Sequence, residues 1–199
     1  SADNAKQGER NMQRRQFATS SVTAALLATT HLAWAQQASV GQSAPAFSAK
    51  DVSGKVVSLT DFKGKTVVLE WVNPGCPYVR KHYSSGNMQG TQKDAIGKNV
   101  VWLAVNSTAN DHSDYLQAAD LAKWMKAQNA VVSHTLMDED GKIGKAYGAR
   151  TTPHMYIIDG KGVMVYAGGI DSIPSASASD IAQATNYVKL ALSDMAAGK

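Results

Sequence analysis

The sequence of 199 residues has little of two things: it contains a single cysteine and only a small formal net charge, +4 at neutral pH. One cysteine cannot form a disulfide within the chain, which excludes a domain held together by internal disulfides. Of the 20 basic and 16 acidic side chains, four and two lie in residues 1–35, so the rest of the chain has a net charge near +2. Charge so balanced gives no electrostatic basis for binding nucleic acid, and no nucleic-acid partner is predicted.

Long apolar runs are also missing from most of the chain. After Ala35 no stretch approaches the roughly 18 to 20 apolar residues that a membrane-spanning helix needs, so no stable membrane insertion is expected once the first segment is removed. What is present is 44% hydrophobic and 18% charged residues, the composition of a globular protein rather than a disordered one.

The first segment has the features of an export signal. Arg14 and Arg15 precede Phe17, a moderately apolar run follows, and Ala33-Trp34-Ala35 supplies the small residues of a cleavage site. This pattern predicts an export signal over residues 1–35, of the twin-arginine type. A Sec signal or an uncleaved anchor helix is the alternative.

An export signal predicts a periplasmic location for the mature chain. Residues 36–44 are predicted to be a linker and residues 45–199 a single domain, because no internal repeat appears. Structural cysteines in an oxidising compartment usually come in pairs. The unpaired Cys76 therefore indicates either a reactive thiol or a buried thiol that acts as a small hydrophobic residue.

The spacing of apolar residues predicts an α/β domain. Residues 46–59 favour a β-hairpin, and β-branched runs at 65–72 and 99–107 favour two buried strands. Further elements are a helix at 77–95 with a break near 85–87, a helix at 113–128 whose apolar face includes Tyr115 and Leu121, a strand at 133–137, a helix at 140–147, a hairpin around 160–162 and a helix at 181–196. This order predicts a central mixed sheet flanked by helices, with an N-terminal hairpin extension.

The segment EWVNPGCPYVRKHY, residues 70–83, places Cys76 at a junction between a strand and a helix. The predicted strand runs into Asn73-Pro74-Gly75, and Pro77 follows at a position where a helix accepts proline. The sulfur is thus predicted at a helix N-terminus, where unsatisfied N–H groups stabilise a thiolate over a thiol. Arg80 would add positive charge if its side chain turned back. This setting favours a nucleophilic cysteine.

The segments from Val40 to Cys76 and from Asp138 to Asp171 resemble the thioredoxin-like superfamily, in its redoxin (AhpC/TSA) branch. The similarity spans nearly all of residues 40–199. It implies a thioredoxin-like fold and thiol chemistry. The signature NPGCPYVRKHY is most similar to a peroxiredoxin-like group of exported redoxins with a single active-site cysteine.

Departures from the family patterns bear on the chemistry that the resemblance implies. Thioredoxins carry Cys-x-x-Cys, but CPYV has Val79 in place of the second cysteine. Counted from Cys76, the proline and threonine of typical peroxiredoxins are replaced by Leu69 and Asn73, and Pro153 stands where their arginine would be. The thioredoxin-type proline is present in Thr-Thr-Pro, as that same Pro153.

The resemblance also implies roles for single residues. Cys76 is the expected nucleophile, and Pro153 is expected to be a cis-proline that keeps its loop against the sulfur. Thr152 would pair through its backbone with a bound partner chain. Glu70 takes the position of thioredoxin's buried acid, where a carboxylate could accept or return a proton; a partly exposed acid at a strand edge is the alternative. His82 is expected on the helix surface.

The sequence therefore predicts an exported thiol-dependent oxidoreductase, for thiol–disulfide or peroxide chemistry, in which an external thiol resolves Cys76. Neither a cofactor nor a metal is predicted for this function, and the expected partner is an external thiol reductant or a disulfide-bearing protein. The oligomeric state is not predicted. The alternative is a redox-inert binding module of thioredoxin fold, which could hold copper through Cys76 and His154.

Overall fold

The computed structural model describes residues 37–199, and the predicted export signal lies outside the described residues. An antiparallel pair comes first, formed by β1 (Ser48–Lys50) and β2 (Val56–Ser58). A five-stranded sheet follows, formed by β3 (Val67–Trp71), β4 (Val101–Asn106), β5 (His134–Met137), β6 (His154–Ile158) and β7 (Met164–Gly168). Its order is β5-β4-β3-β6-β7. The mixed sheet and the N-terminal hairpin confirm the predicted fold class.

Strand β3 lies in the middle of the sheet. All five of its residues are buried, as expected for a β-branched run that is covered on both faces. It pairs in parallel with β4 and antiparallel with β6, and Trp71 is opposite His154 in that second pairing. The chain leaving Trp71 and the chain entering His154 therefore meet at one end of the sheet. This register brings Cys76 and Pro153 together.

Five α-helices accompany the sheet in the described part: α1 (Pro77–Ser84), α2 (Asn87–Gly97), α3 (Ala118–Ala127), α4 (Lys142–Tyr147) and α5 (Tyr187–Ala196). The predicted break near residue 86 is confirmed, because Gly86 adopts a left-handed φ of 76° between α1 and α2. None of the helices in residues 37–199 is long and apolar enough to cross a membrane.

Two helices begin later than predicted. Residues 113–117 are not helical. Two successive β-turns run from Ala109 to His112 and from His112 to Tyr115, and the Tyr115 hydroxyl donates to Glu139. The last helix starts at Tyr187, and a 3₁₀ segment occupies Ala178–Gln183. In both cases the helical spacing of apolar residues in the sequence extends before the first residue of the α-helix, into a segment that forms turns or a 3₁₀ helix.

The two faces of the sheet carry separate cores, as the alternation along each strand requires. The first core lies under α1, α2, α3 and α5, and its members include Val68, Val72, Val79, Tyr83, Met88, Trp102, Leu121, Met155 and Ile157. The second core lies on the opposite face, with α4 and the N-terminal hairpin, and includes Leu69, Trp71, Leu103, Tyr147, Tyr156 and Ile158. Cys76 packs against the first core.

Residues 38–44 run along the domain. The Ala38 amide donates to the Ala146 carbonyl, Gly41 to Met164, and Ala44 to Gly162. The boundaries predicted for the linker and the domain stay predictions.

Candidate active site

The turn between β3 and α1 is built around Asn73. Its side-chain Oδ1 accepts from the Gly75 amide at 2.8 Å, and its carbonyl accepts from the Cys76 amide at 3.0 Å. Its Nδ2 donates to Asp114 at 3.1 Å. A Cβ at Gly75 would overlap the Asp114 carboxylate, so a larger residue here would have to displace Asp114 and its hydrogen bond to Asn73. The turn thereby fixes where Cys76 enters the helix.

Cys76 is the N-cap residue of α1 and is half-buried. Its carbonyl accepts from the Arg80 amide at 3.0 Å, while its side chain makes no capping hydrogen bond. Pro77 has no N–H, and the next two amides of an α-helix have no acceptor within the helix. The sulfur therefore lies at the positive end of α1, as predicted, where a thiolate is stabilised relative to a thiol.

A second segment reaches the sulfur from across the sheet. The Cys76 thiol donates to the Thr152 carbonyl, with 3.1 Å between sulfur and oxygen. The Thr152–Pro153 peptide bond is cis, as the resemblance implies. Thr152 and Pro153 thus meet Cys76 although 76 positions separate Thr152 from it in the sequence.

Arg80 turns back toward the start of its helix but does not bind the sulfur. Its Nε donates to the Pro74 carbonyl at 2.9 Å, and the residue is exposed. Its positive charge is therefore held beside the turn that carries Cys76, and its hydrogen bond orders the backbone of that turn.

Glu70 is fully buried on β3, so the alternative of a partly exposed acid at a strand edge is wrong. Its Oε1 accepts from the Tyr83 hydroxyl at 2.8 Å, and its Oε2 accepts from Trp102 Nε1 at 2.8 Å and Gln92 Nε2 at 3.0 Å. Burial raises the pKa of the Glu70 carboxyl, and these three hydrogen bonds oppose the rise.

Glu70 and Cys76 share the face of the sheet that carries the first core. Among residues 37–199, however, the hydrogen-bond donors to the Glu70 carboxylate come from α1, α2 and β4, and none comes from the turn that carries the sulfur. These contacts show that Glu70 joins α1, α2 and β4 within the first core. Its part in proton transfer stays a prediction.

His82 is not on the helix surface, as the sequence predicted, but is only 3% exposed. The segment that follows β7 packs over the last turn of α1 and places Asp171 beside it. His82 Nε2 lies 3.7 Å from Asp171 Oδ2, and Asn87 donates to His82 Nδ1 at 2.9 Å. Burial lowers the pKa of His82 to about 4; Asp171 opposes this shift and Lys81 adds to it.

Lys81 and Asp171 were missed by the sequence analysis. The Lys81 side chain is fully buried, donates to the Ile173 carbonyl at 3.2 Å and lies 3.5 Å from Asp171 Oδ2. Lys81 lies in the signature around Cys76, but no local signal marks it as the partner of Asp171, because the two residues are 90 positions apart.

His154 belongs to the opposite face of the sheet from Cys76. Its ring stacks on Tyr156, with 4.6 Å between ring centroids, and Tyr156 is a member of the second core. Burial lowers the pKa of His154. Residues 37–199 contain no cluster of three or more histidine, cysteine, aspartate or glutamate side chains that could hold a metal ion. The geometry therefore lends no support to a copper site shared by Cys76 and His154.

Comparison with known proteins places these features in a family. The profile of the AhpC/TSA family matches residues 40–167. The chain is 35% identical over 127 residues to the thioredoxin-like protein YneN of Bacillus subtilis, covering 62% of this chain and 68% of YneN. It is 26% identical over 133 residues to the thiol-disulfide oxidoreductase ResA of Bacillus thuringiensis subsp. konkukian, covering 63% and 67%.

Solved structures share the fold. A conserved, uncharacterized protein of Geobacillus kaustophilus superimposes with a TM-score of 0.63 at 28% identity, over 69% of this chain and 72% of that one. A thiol:disulfide interchange protein from Bacteroides sp. superimposes with a TM-score of 0.53 at 23% identity, over 66% and 82%. The strands and helices that carry Cys76 are thus arranged as in thioredoxin-like proteins.

Proposed function

Because the chain belongs to the AhpC/TSA family of thiol-based redox proteins, we propose that it is an exported thiol–disulfide oxidoreductase with Cys76 as its nucleophile. The observation that carries the proposal is the position of the Cys76 sulfur, at the N-terminus of α1 and 3.1 Å from the Thr152 carbonyl. A thiol in this position is half-buried yet reachable, and the helix favours its reactive form.

The reaction begins when Cys76 loses its proton. The thiolate attacks one sulfur of a disulfide R–S–S–R′, the S–S bond breaks, and a mixed disulfide Cys76–S–S–R forms. The leaving thiolate R′–S⁻ takes up a proton. Loss of the proton also frees the Thr152 carbonyl from its hydrogen bond with the thiol, so this carbonyl can accept an N–H of the bound partner.

An external thiol must complete the cycle in this proposal. Cys76 is the one cysteine among the 199 residues, and the position three residues later is filled by Val79, which is fully buried in the first core. A second thiol from another molecule therefore attacks the R sulfur of the mixed disulfide and releases Cys76 as a thiolate. This step forms R–S–S–R″ from the second thiol R″–SH, and attack by a further R″–SH then releases R–SH and forms R″–S–S–R″. Two electrons pass in this way from two external thiols to one disulfide, and no cofactor takes part.

The contacts favour disulfides over peroxides as the oxidant. At the positions that polarise a peroxide in typical peroxiredoxins, Leu69 points into the second core and Pro153 has no side-chain donor. Asn73 is already bonded to Gly75 and Asp114. Peroxide consumption with excess dithiothreitol tests this: we expect no rate that depends on Cys76, and a rate lost in C76S would make peroxide the preferred substrate.

Export is part of the proposal, and it is supported by the paired arginines, the apolar run and the Ala-x-Ala site of residues 14–35. We expect the mature chain to be recovered from the periplasmic fraction of an expressing Gram-negative cell. Replacing Arg14 and Arg15 by lysine should retain the chain in the cytoplasm if the signal is of the twin-arginine type.

The decisive experiment compares two thiols on one helix. Wild type is compared with C76S and with the double variant C76S/S84C, which moves the only thiol to an exposed position at the other end of α1. At neutral pH we expect wild type to be alkylated and to form mixed disulfides about tenfold or more faster than the double variant, and C76S to do neither. Equal rates for the two thiols would contradict an activated nucleophile.

Glu70→Gln tests the predicted proton role of Glu70. If the carboxylate accepts the thiol proton, the variant shifts the pH profile of Cys76 alkylation. If Glu70 only stabilises the packing of the core, the pH profile of Cys76 alkylation is unchanged and the variant differs from wild type in stability alone. Tyr83→Phe is the matched control, because it alters the same cluster without removing the titratable carboxylate.

A further inference from the structure

A cavity of about 300 Å³ lies beside the proposed nucleophile, on the far side of Thr152. It is lined by residues 71–73, 107–109 and 149–152, together with His112 and Gly144. Two of its lining residues hold Cys76 directly, since the Asn73 carbonyl accepts from the Cys76 amide and the Thr152 carbonyl accepts from the thiol. A group bound here would contact two residues that also contact Cys76.

The lining of the cavity contains one arginine, Arg150, and no carboxylate side chain. Arg150 is exposed and makes no hydrogen bond or ion pair with any residue of the 37–199 segment. His112 accepts from the Asp114 amide through Nδ1 at 3.0 Å, which leaves Nε2 as the donor of the neutral ring. Asp114 itself bonds to Asn73 and is not part of the lining.

Hydroxyl groups complete the lining. Ser107 is occupied, because it accepts from Trp71 Nε1 at 3.0 Å and donates to Asp138 at 2.5 Å. The side-chain hydroxyls of Thr108 and Thr151 make no hydrogen bond within the described part of the chain and are available to a ligand. Asp138 and Asp114 lie behind the lining and are bonded to Ser107, Gly144 and Asn73. In the lining itself a guanidinium stands with hydroxyl donors and without a carboxylate, an environment that suits a carboxylate group.

We propose that this cavity binds the carboxylate-bearing arm of a small thiol, and that the disulfide of such a thiol is a substrate of Cys76. The inference rests on the proposed function and names its substrate class. The Cys76 thiolate attacks R–S–S–R, the S–S bond breaks, Cys76–S–S–R forms, and R–S⁻ leaves and is protonated to R–SH. The thiolate of the external reductant, R″–S⁻, then attacks the R sulfur, which releases the Cys76 thiolate and forms R–S–S–R″.

The size of the cavity favours a small ligand. A volume of about 300 Å³ is at the lower end of small-molecule sites, which accommodates the arm of a short peptide-like thiol rather than a folded partner. Arg150 supplies specificity in this arrangement, because a planar guanidinium pairs with a carboxylate through two hydrogen bonds.

The test measures how fast three small disulfides form a mixed disulfide with the reduced full chain, followed by intact mass spectrometry. Oxidised glutathione carries carboxylates, bis(2-hydroxyethyl) disulfide is neutral, and cystamine is cationic. Each rate is measured for wild type, R150Q and the control K161Q. Lys161 is exposed in the β6–β7 turn, at the opposite end of the sheet from Cys76. The ratio of variant to wild type cancels the intrinsic reactivity of each disulfide.

We expect R150Q to slow the reaction with oxidised glutathione about fivefold, the effect of one partly exposed ion pair, and to leave the neutral disulfide unchanged. Added salt should reduce the wild-type rate with oxidised glutathione toward that of R150Q. K161Q should change none of the three rates.

Equal variant-to-wild-type ratios for all three disulfides would overturn this inference and leave the proposed function standing. No mixed disulfide with any of the three, in a chain whose Cys76 is reduced, would overturn the proposed function as well.

Discussion

Two buried carboxylates hold the last turns of α1, and they are stabilised in different ways. Glu70 comes from the middle strand and is surrounded by three neutral donors at 2.8 to 3.0 Å. Asp171 comes from the segment after β7 and faces two basic side chains, Lys81 at 3.5 Å and His82 at 3.7 Å. Asp171 Oδ2 makes no hydrogen bond within the described residues.

The difference shows how one short helix is fixed to two parts of the fold. The Glu70 cluster joins α1 to the sheet and α2 through short, directional hydrogen bonds, which suit elements of fixed geometry. The Asp171 cluster joins α1 to an irregular segment through charge, which acts over longer distances. Both attachments lie near the C-terminal end of α1, and Cys76 at the other end takes part in neither.

The largest expected effect is loss of the charge that faces Asp171. Lys81→Met keeps the apolar stem of the side chain but leaves a buried carboxylate without its cation, which should lower the free energy of unfolding by about 3–5 kcal/mol. Urea denaturation measures the change. Lys123→Met, at an exposed position on α3, is the control and should cost less than about 0.5 kcal/mol. A similar small loss in both variants would mean that the Asp171 cluster contributes little.

His82 should make the Asp171 cluster sensitive to acid. Its pKa is lowered to about 4 in the folded protein against an ordinary value of 6.5, so the unfolded chain binds the proton more readily between these two values. The stability that the neutral ring contributes is therefore complete above pH 6.5 and is lost as the pH falls toward 4. Acidification from pH 7 to 4.5 should cost wild type about 2 kcal/mol more than H82N.

H82N suits this measurement because the asparagine Oδ1 can still accept from Asn87. Lys123→Asn, at an exposed position on α3, is the control and should keep the acid sensitivity of wild type. The idea fails if H82N and wild type lose equal stability over this pH range.

A smaller effect is expected where a neutral hydrogen bond is removed from the Glu70 cluster. Tyr83→Phe deletes the hydroxyl that donates to Glu70 and accepts from Gln92 at 3.0 Å, while the ring keeps its edge contact with Trp124. The free energy of unfolding should fall by about 1–2 kcal/mol. Tyr78→Phe, on an exposed ring of the same helix, should be nearly neutral. A larger loss in Y78F than in Y83F would contradict this account.

The smallest change at neutral pH is expected for Glu70→Gln. Its free energy of unfolding should lie within about 1 kcal/mol of wild type, because glutamine keeps the volume and most of the hydrogen bonds.

The pH dependence of the stability that Glu70 contributes should be opposite in sign to that of His82. Burial raises the pKa of Glu70, so the folded protein keeps the proton at pH values where the unfolded chain has lost it. The stability of wild type relative to E70Q should therefore fall as the pH rises above about 4.5. Unfolding midpoints at several pH values, compared between the two proteins, would contradict this if the difference stayed constant.

Most of the fold could be predicted from local patterns in the sequence. The β-branched runs predicted the central strands, Gly86 predicted the break between α1 and α2, and Pro77 predicted the start of the reactive helix. These features depend on neighbouring residues and on backbone preferences that act over a few positions. The position of Cys76 at a helix N-terminus was determined in the same way.

The partners of the site were decided only by the tertiary structure. The burial of His82 and the pairing of Lys81 with Asp171 depend on a segment 90 positions away, whereas His82 was expected on the helix surface. His154 and Cys76 lie on opposite faces of the sheet, and this arrangement follows from the register of β6 against β3. The sequence by itself was enough to select Cys76 as the proposed nucleophile, because a thiol at a helix start is a local feature. The sheet register and the long-range packing decided which groups surround it, because contacts between distant segments are set by the burial of the whole core.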